Sequence, residues 1–189
     1  LASYAFPSPI VPANWINGGA NLKFKVSGIL SYNSDPNAPI PLVGFTVLLK
    51  TNPGNITVGT TTTNASGYYE FSIANGNYII ESAAPSGTIW SADLDDVIAM
   101  FDYVGGVPLP DSNPLRLIAG DVNQNGDIDL DDVIDVFYKV GGETLPDYTA
   151  PEWVFGNLTL TVNCADLPNQ NLMGLNSGNV LGSNPTPNP

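Results

Sequence analysis

Residues Asp121 to Asp132 read D-V-N-Q-N-G-D-I-D-L-D-D. Counted from Asp121, oxygen-bearing side chains stand at positions 1, 3, 5, 9 and 12, and Gly126 stands at position 6. A large, hard cation such as calcium needs this spacing: oxygen donors wrap the ion, a backbone carbonyl enters at position 7, and the glycine permits the sharp turn. The expected donors are the side chains of Asp121, Asn123, Asn125 and Asp132 and the carbonyl of Asp127, with Asp129 acting directly or through water. Position 12 is Asp rather than Glu, and position 5 is the neutral Asn125. Fewer charges weaken a site, which suits extracellular calcium at ~10⁻³ M and makes the ion a permanent component of the fold rather than a switch. Directly downstream Leu130, Val133, Ile134, Phe137 and Val140 recur at i, i+3, i+4, i+7 and i+10, the spacing of a helix with one apolar face.

This helix occurs twice. Asp93-Leu-Asp-Asp-Val-Ile-Ala-Met-Phe-Asp-Tyr-Val-Gly-Gly106 matches Asp129-Leu-Asp-Asp-Val-Ile-Asp-Val-Phe-Tyr-Lys-Val-Gly-Gly142 at 10 of 14 positions, at an offset of 36 residues. The offset persists through Leu109-Pro110-Asp111 and Leu145-Pro146-Asp147. Such a repeat is one structural unit used twice. Each copy ends in Gly-Gly, a left-handed stop, and each helix is too short to stand alone. The two are therefore expected to bury their Val, Ile and Phe faces against each other. The copies differ in the loop. Counted back from Asp96, the first has Pro85, Gly87 and Ile89 at positions 1, 3 and 5. Two readings of Asp93 and Asp96 follow: they cap a metal-free helix, or they hold a second calcium through a shortened loop and backbone carbonyls.

Outside this unit the pattern is β. Leu22, Phe24 and Val26 alternate at period two, as do Phe45, Val47 and Leu49, then Tyr69, Phe71 and Ile73, then Tyr78 and Ile80. Turn signals at Asp35-Pro36-Asn37, Asn52 to Asn55, Asn64 to Gly67 and Asn75-Gly76-Asn77 separate them. Short antiparallel strands at this spacing argue a sandwich, and Trp153 to Val162 is a further strand-like run that completes a sheet. The expected organisation is an apolar N-terminal segment (1–21), a β-sandwich (22–84), the calcium-binding repeats (85–150), and closing strands with a Pro-rich tail (151–189). Segment 1–21 carries Tyr4, Phe6, Ile10, Val11 and Trp15. It is too apolar for a solvated linker, and is expected to pack on its own sandwich or to lie along a neighbour's sheet edge as a donated strand.

Composition narrows the function. Formal net charge is −13, and 13 of the 18 acidic residues lie between Asp93 and Asp147, where metal demand explains the clustering. Five basic residues forming no patch argue against nucleic-acid binding, and no stretch approaches the ~20 apolar residues of a membrane span. With no His, no nucleophile beside a base and no phosphate loop, the chain is not expected to be an enzyme. Cys164 is alone, which excludes a disulfide framework and points to a small buried hydrophobe. Tyr68, Tyr69, Trp90 and Trp153 are candidates for stacking on sugar.

The loop and following V-I-D-V-F resemble a type I dockerin repeat, an EF-hand type, and residues 93–106 resemble its partner. Val26-Ser-Gly-Ile-Leu, Pro41-Leu-Val-Gly-Phe-Thr-Val, Thr61 to Phe71 and Ala74-Asn-Gly-Asn-Tyr resemble a carboxypeptidase-regulatory or Cna-B-like sandwich. The order of these parts, closed by Thr161-Val-Asn-Cys-Ala-Asp and Gly178-Asn-Val-Leu-Gly-Ser, is similar to regions of large secreted bacterial surface proteins. The resemblance implies a mainly β fold with a small α part: an Ig-like or Cna-B-like β-sandwich plus a two-helix dockerin-like EF-hand unit. The expected function is that of an extracellular, non-catalytic, calcium-binding assembly protein, a subunit of a cell-surface fibre or sheath that self-associates through its terminal segments. The alternatives are a docking module for a cohesin-like protein partner and an accessory carbohydrate-binding domain.

Overall fold

Alternating apolar residues build two sheets whose inner faces share one core. The computed structural model describes residues 22–32, 40–88, 90–111 and 113–182. Within them run β1 (Phe24–Tyr32), β2 (Ile40–Pro41), β3 (Thr46–Thr51), β4 (Thr57–Thr62), β5 (Tyr68–Ile73) and β6 (Gly76–Ala83). The helices α1 (Leu94–Val104), α2 (Pro114–Gly120) and α3 (Leu130–Val140) follow, then β7 (Trp153–Phe155), β8 (Leu158–Val162) and β9 (Leu172–Asn176). One sheet has the order β2-β1-β9-β7 with β5 also paired to β1; the other has the order β4-β3-β6-β8. Val26, Leu30, Phe45, Val47, Leu49, Tyr69, Phe71 and Ile80 fill the space between them. All but Leu30 are positions that the period-two pattern marks; Leu22, marked by the same pattern, is exposed instead. Thr63 is a polar member of the interior: its hydroxyl donates to the Leu42 carbonyl (2.6 Å) and accepts from the Phe45 N–H (3.0 Å), so the burial leaves neither group unpaired.

Several expectations need correction. The run Trp153 to Val162 is two strands, broken at Gly156-Asn157, and they enter different sheets: β7 pairs with β9, and β8 with β6. The pairing is not all antiparallel, because β9 runs parallel to β1 with Leu30 opposite Leu172 and Tyr32 opposite Gly174. A parallel return needs a long crossover, and the helical region supplies part of it. β4, mostly threonine, lacks apolar alternation and is held as a strand by its register with β3. Cys164 is exposed rather than buried. It sits at φ 56°, its N–H donates to Asn75 Oδ1 (2.8 Å), and Asn75 Nδ2 donates to its sulfur (3.2 Å).

Among the described residues there are three helices instead of two. The unforeseen α2 begins with Asn113, whose side chain accepts the Leu115 N–H, followed by Pro114 at the first helical position. It joins the two parts of the molecule: Leu115 and Ala119 belong to the sandwich core, while Val122 just beyond it belongs to the core of the helical unit. Arg116 on the same helix is buried, with a bidentate pair to Asp111 at 2.8 Å on each arm and a further bond to the Val180 carbonyl. Among the described residues no helix is long and apolar enough to cross a membrane. Segment 1–21, the turn at Asp35 to Asn37 and the Pro-rich tail from residue 183 lie outside the described residues.

Candidate metal centre

Each helix of the repeat opens with the same capping device. Asp93 accepts the Asp95 N–H and Asp96 accepts the Asp93 N–H; Asp129 accepts the Asp131 N–H and Asp132 accepts the Asp129 N–H, both reciprocal bonds at 3.0 Å. Acidic side chains here also complement the positive end of the helix dipole. The stops match too. Gly105 and Gly141 share φ −73° and ψ −4°, and the left-handed turn falls on the second glycine of each pair, Gly106 and Gly142.

In the second copy the loop folds onto its own oxygens. Asp121 accepts the N–H of Asn125 (2.9 Å) and of Gly126 (3.0 Å), Asn123 Oδ1 accepts the Asn125 N–H (3.0 Å), and Asn125 Oδ1 accepts the Asp127 N–H (3.0 Å). Gly126 makes the sharp turn at φ +106°, a left-handed conformation that a β-carbon would strain. Asn125 Nδ2 also donates to Asp129 Oδ2 (3.1 Å). Asp132 is fully buried and ties the loop's two ends together: Oδ1 accepts from Val122 (2.9 Å) and Asn123 (3.1 Å), and Oδ2 from Asp129. Burial nevertheless pushes its carboxyl above the usual range.

Among the described residues no such loop precedes the helix of the first copy, and the matching bond comes from the other end of the fold. Asp96 is also fully buried; its Oδ2 accepts from Asp93, but its Oδ1 accepts from the Leu181 N–H at 2.9 Å. Gly178-Asn179-Val180-Leu181 thus stands to Asp96 as Gly120-Asp121-Val122-Asn123 stands to Asp132. The local geometry agrees: the Val180 N–H bonds the Gly178 carbonyl at 3.2 Å, and the Val122 N–H bonds the Gly120 carbonyl at 3.0 Å. Both valines are fully buried in the same cluster. Asn179 reaches the Ser91 hydroxyl (3.2 Å) and accepts the Gly182 N–H (2.7 Å). A segment distant in sequence thus meets Asp96, with G-N-V at 178–180 echoing G-D-V at 120–122. Burial pushes the Asp96 carboxyl up to about 6, against the pull of the Leu181 and Asp93 N–H groups.

The helix faces also differ from expectation. Val97, Met100, Val133 and Val136 form the buried contact, with Asp96 and Asp132 beside them. Leu94, Ile98 and Phe101 on α1, and Leu130, Ile134 and Phe137 on α3, are between 46 and 58 % exposed. The capping carboxylate sets this choice. Asp96 and Asp132 must turn inward to meet their N–H donors, and the residues one and four positions further share that side. The apolar stripe next to it is left outside.

Of the four aromatics singled out for sugar, Tyr69 is in the core, and Trp153 stacks on Phe155 and meets Phe45 edge-on. Trp90 donates its indole N–H to the Ser177 carbonyl (2.6 Å), and Tyr68 bonds Glu70. Lys139, lowered by burial, lies 3.8 Å from the Tyr148 ring centre and 4.8 Å from that of Trp90.

Comparison with known proteins bears on the sandwich. The profile described as "SdrD B-like domain" matches residues 33–97, about a third of the chain, ending in the first turn of α1. Among solved structures, the T6 backbone pilin of serotype M6 Streptococcus pyogenes, a modular three-domain protein, is similar at 23 % identity and a TM-score of 0.29. That match covers 35 % of this chain and 14 % of the pilin, a likeness too partial to carry a structural argument. No curated protein matches. The similarity thus takes in β2 to β6 and the start of α1, and leaves out β1, β7 to β9, α2 and α3.

Proposed function

We propose that this chain is a non-catalytic, extracellular structural module, a subunit of a cell-surface fibre or sheath, whose helical unit is held by calcium. The reading rests on the donor set of residues 121–132. Two carboxylates (Asp121, Asp132), two amide oxygens (Asn123, Asn125) and the Asp127 carbonyl stand in one tight loop, with Asp129 close enough to act directly or through water. Among the described residues no three His, Cys, Asp or Glu side chains gather as a metal-holding group; the loop's donors are of a mixed kind, half of them uncharged. Three of the roughly four lone pairs on Asp132 already accept N–H groups. One remains on Oδ2, consistent with single-oxygen binding by a side chain one methylene shorter than Glu. The ion pairs of the described residues are Lys25–Glu70, Lys50–Glu81 and Arg116–Asp111, and none reaches this loop. A divalent cation supplies the neutralisation that the protein does not.

Calcium would join the two ends of the loop and hold the start of α3 against Val122 and Thr149, whose N–H bonds the Val122 carbonyl at 3.0 Å. It would be a clamp with no open chemical role. Asp93 and Asp96 extend the proposal to a second ion, with Asn179 from the closing segment. The likeness of residues 33–97 to an SdrD B-like domain supports the surface-protein reading. Sedimentation and electron microscopy of the purified chain, in calcium and in chelator, test it. Polymers that form in calcium and dissociate on chelation are expected; a monomer indifferent to calcium would overturn the reading.

A further inference from the structure

The two sheets end differently. In the sheet of order β2-β1-β9-β7 every border carries a device that hinders pairing with another chain. β2 is two residues long and contains Pro41, β7 is three residues long and follows Pro151-Glu152, and β5 carries Glu70, ion-paired at the surface with Lys25. Short edges, prolines and charges are the means by which sheets avoid edge-to-edge association. Among the described residues neither border of the sheet β4-β3-β6-β8 has any of these. No Asp, Glu, Lys or Arg occurs in residues 51–69, which contain β4, or in residues 153–165, which contain β8, and neither strand contains Pro. Ile56 and Val58, at the start of β4, are 65 and 52 % exposed. In a chain of formal net charge −13, these are borders where two copies meet without opposing carboxylates. We propose that β4 of one copy pairs with β8 of the next, so that this sheet runs on from subunit to subunit. This deepens the assembly reading above and rests on it.

Two features select β8 as the occupant. The first is direction. β4 is antiparallel to β3, β3 to β6, and β6 to β8. β4 and β8 therefore run opposite ways, and a second copy set beside the first in the same orientation continues the antiparallel order unbroken.

The second is side-chain size. The register of β4 with β3 shifts at Val58 and is regular from Gly59 to Thr62. Over that stretch Gly59 and Thr61 are half-buried, and Thr60 and Thr62 are exposed. β8 buries Leu160 and Val162 and exposes Thr159 and Thr161. Small inward residues on β4 thus meet large ones on β8, and threonine meets threonine on the outer face, a favourable cross-strand pair. β4 against β4 would set small residues against small ones and leave the inner face thin. A contact between two different borders is heterologous, so it propagates as an open filament instead of closing.

Cysteine cross-linking of the full chain, in a Cys164→Ser background, tests this. Within one chain β3 and β6 stand between β4 and β8, which holds them about 14 Å apart. A disulfide spans at most about 7 Å between α-carbons, so one that joins β4 to β8 joins two copies. Four double variants, Thr60→Cys or Thr62→Cys with Thr159→Cys or Thr161→Cys, sample the outward registers. In calcium and mild oxidant at least one should give a ladder of covalent oligomers, while Thr60→Cys alone gives none. Thr60→Lys with Thr159→Lys, shown to be folded by thermal melting, should raise the concentration needed for polymer growth at least tenfold. Hydrogen exchange at the β4 amides that face away from β3 should slow only in the polymer. Polymers that yield no such disulfide and ignore the lysine pair would overturn the proposal while leaving the assembly reading intact. Covalent dimers of Thr60→Cys alone would overturn it in favour of β4 against β4. Outward β4 amides already protected in the monomer would overturn it by showing that the chain covers its own edge. A wild-type chain that stays monomeric in calcium would overturn both readings.

Discussion

Replacing Asp132 by Ala should damage the protein with or without calcium, whereas replacing Asp121 by Ala should matter only when calcium is present. Asp132 is fully buried and accepts three backbone N–H groups, from Val122 at 2.9 Å, Asn123 at 3.1 Å and Asp129 at 3.0 Å. Leaving a buried donor unpaired costs about 1–3 kcal/mol. The Asn123 and Asp129 groups are only part-buried, so water recovers some of that loss. The raised Asp132 pKa shows that burying its charge offsets part of the benefit as well. The lower end applies, roughly 3 kcal/mol in chelator, or about 6–12 °C in Tm for a chain of this size. Asp121 instead accepts from Asn125 and Gly126, whose N–H groups are exposed and turn to water when it is removed; its loss in chelator should stay within about 0.5 kcal/mol. Calcium at a hundred times its Kd adds about 2.7 kcal/mol to the wild type, and both variants should lose that increment. Calorimetric melts of the three proteins in calcium and in chelator give the four differences needed. A wild-type Tm indifferent to calcium refutes the metal reading. Equal losses for the two variants in chelator refute the account of Asp132.

Other consequences follow from the packing. Met100→Ala should lower stability by about 2–5 kcal/mol in urea unfolding, because Met100 is fully buried between the helices. The larger Phe101, on the outer stripe, should tolerate Ala within about 0.5 kcal/mol; a larger loss would mean that the outer stripe belongs to the core. Gly178 adopts φ +81°, and an added Cβ would lie 3.0 Å from Val136, so Gly178→Val should destabilise the fold by about 1–3 kcal/mol. A neutral result would show that the segment does not close the first hand. Arg116 holds the Asp111 carboxyl below its ordinary pKa. A depressed carboxylate adds stability above its unfolded pKa, near 4, and that stability is lost as pH falls through the lower folded value. Asp111→Asn should therefore destabilise at neutral pH, with the difference from wild type shrinking in acid; a difference that grows in acid would contradict the pair's role.

Much of the site was legible locally. The twelve-residue loop, the glycine at its turn and the caps Asp93 and Asp129 are set by short-range geometry: an Asp at the N-cap accepts the N–H two residues on, wherever the helix later packs. The alternation of Phe45, Val47 and Leu49 likewise marks an inward face, because successive strand side chains point to opposite sides. Tertiary structure alone decided which of two adjacent apolar stripes each helix buries. Val136 and Phe137 are equally apolar, and the choice depended on Asp132 having to meet N–H groups from Val122 and Asn123. It also decided the partner of Asp96. Leu181 is 85 residues away, and a four-residue echo of the second loop carries too little pattern to be noticed before the parallel return of β9 brings it there. The split of Trp153 to Val162 between two sheets has the same origin: strand-forming residues are recognisable by type, but which edge accepts them depends on the whole assembled sandwich.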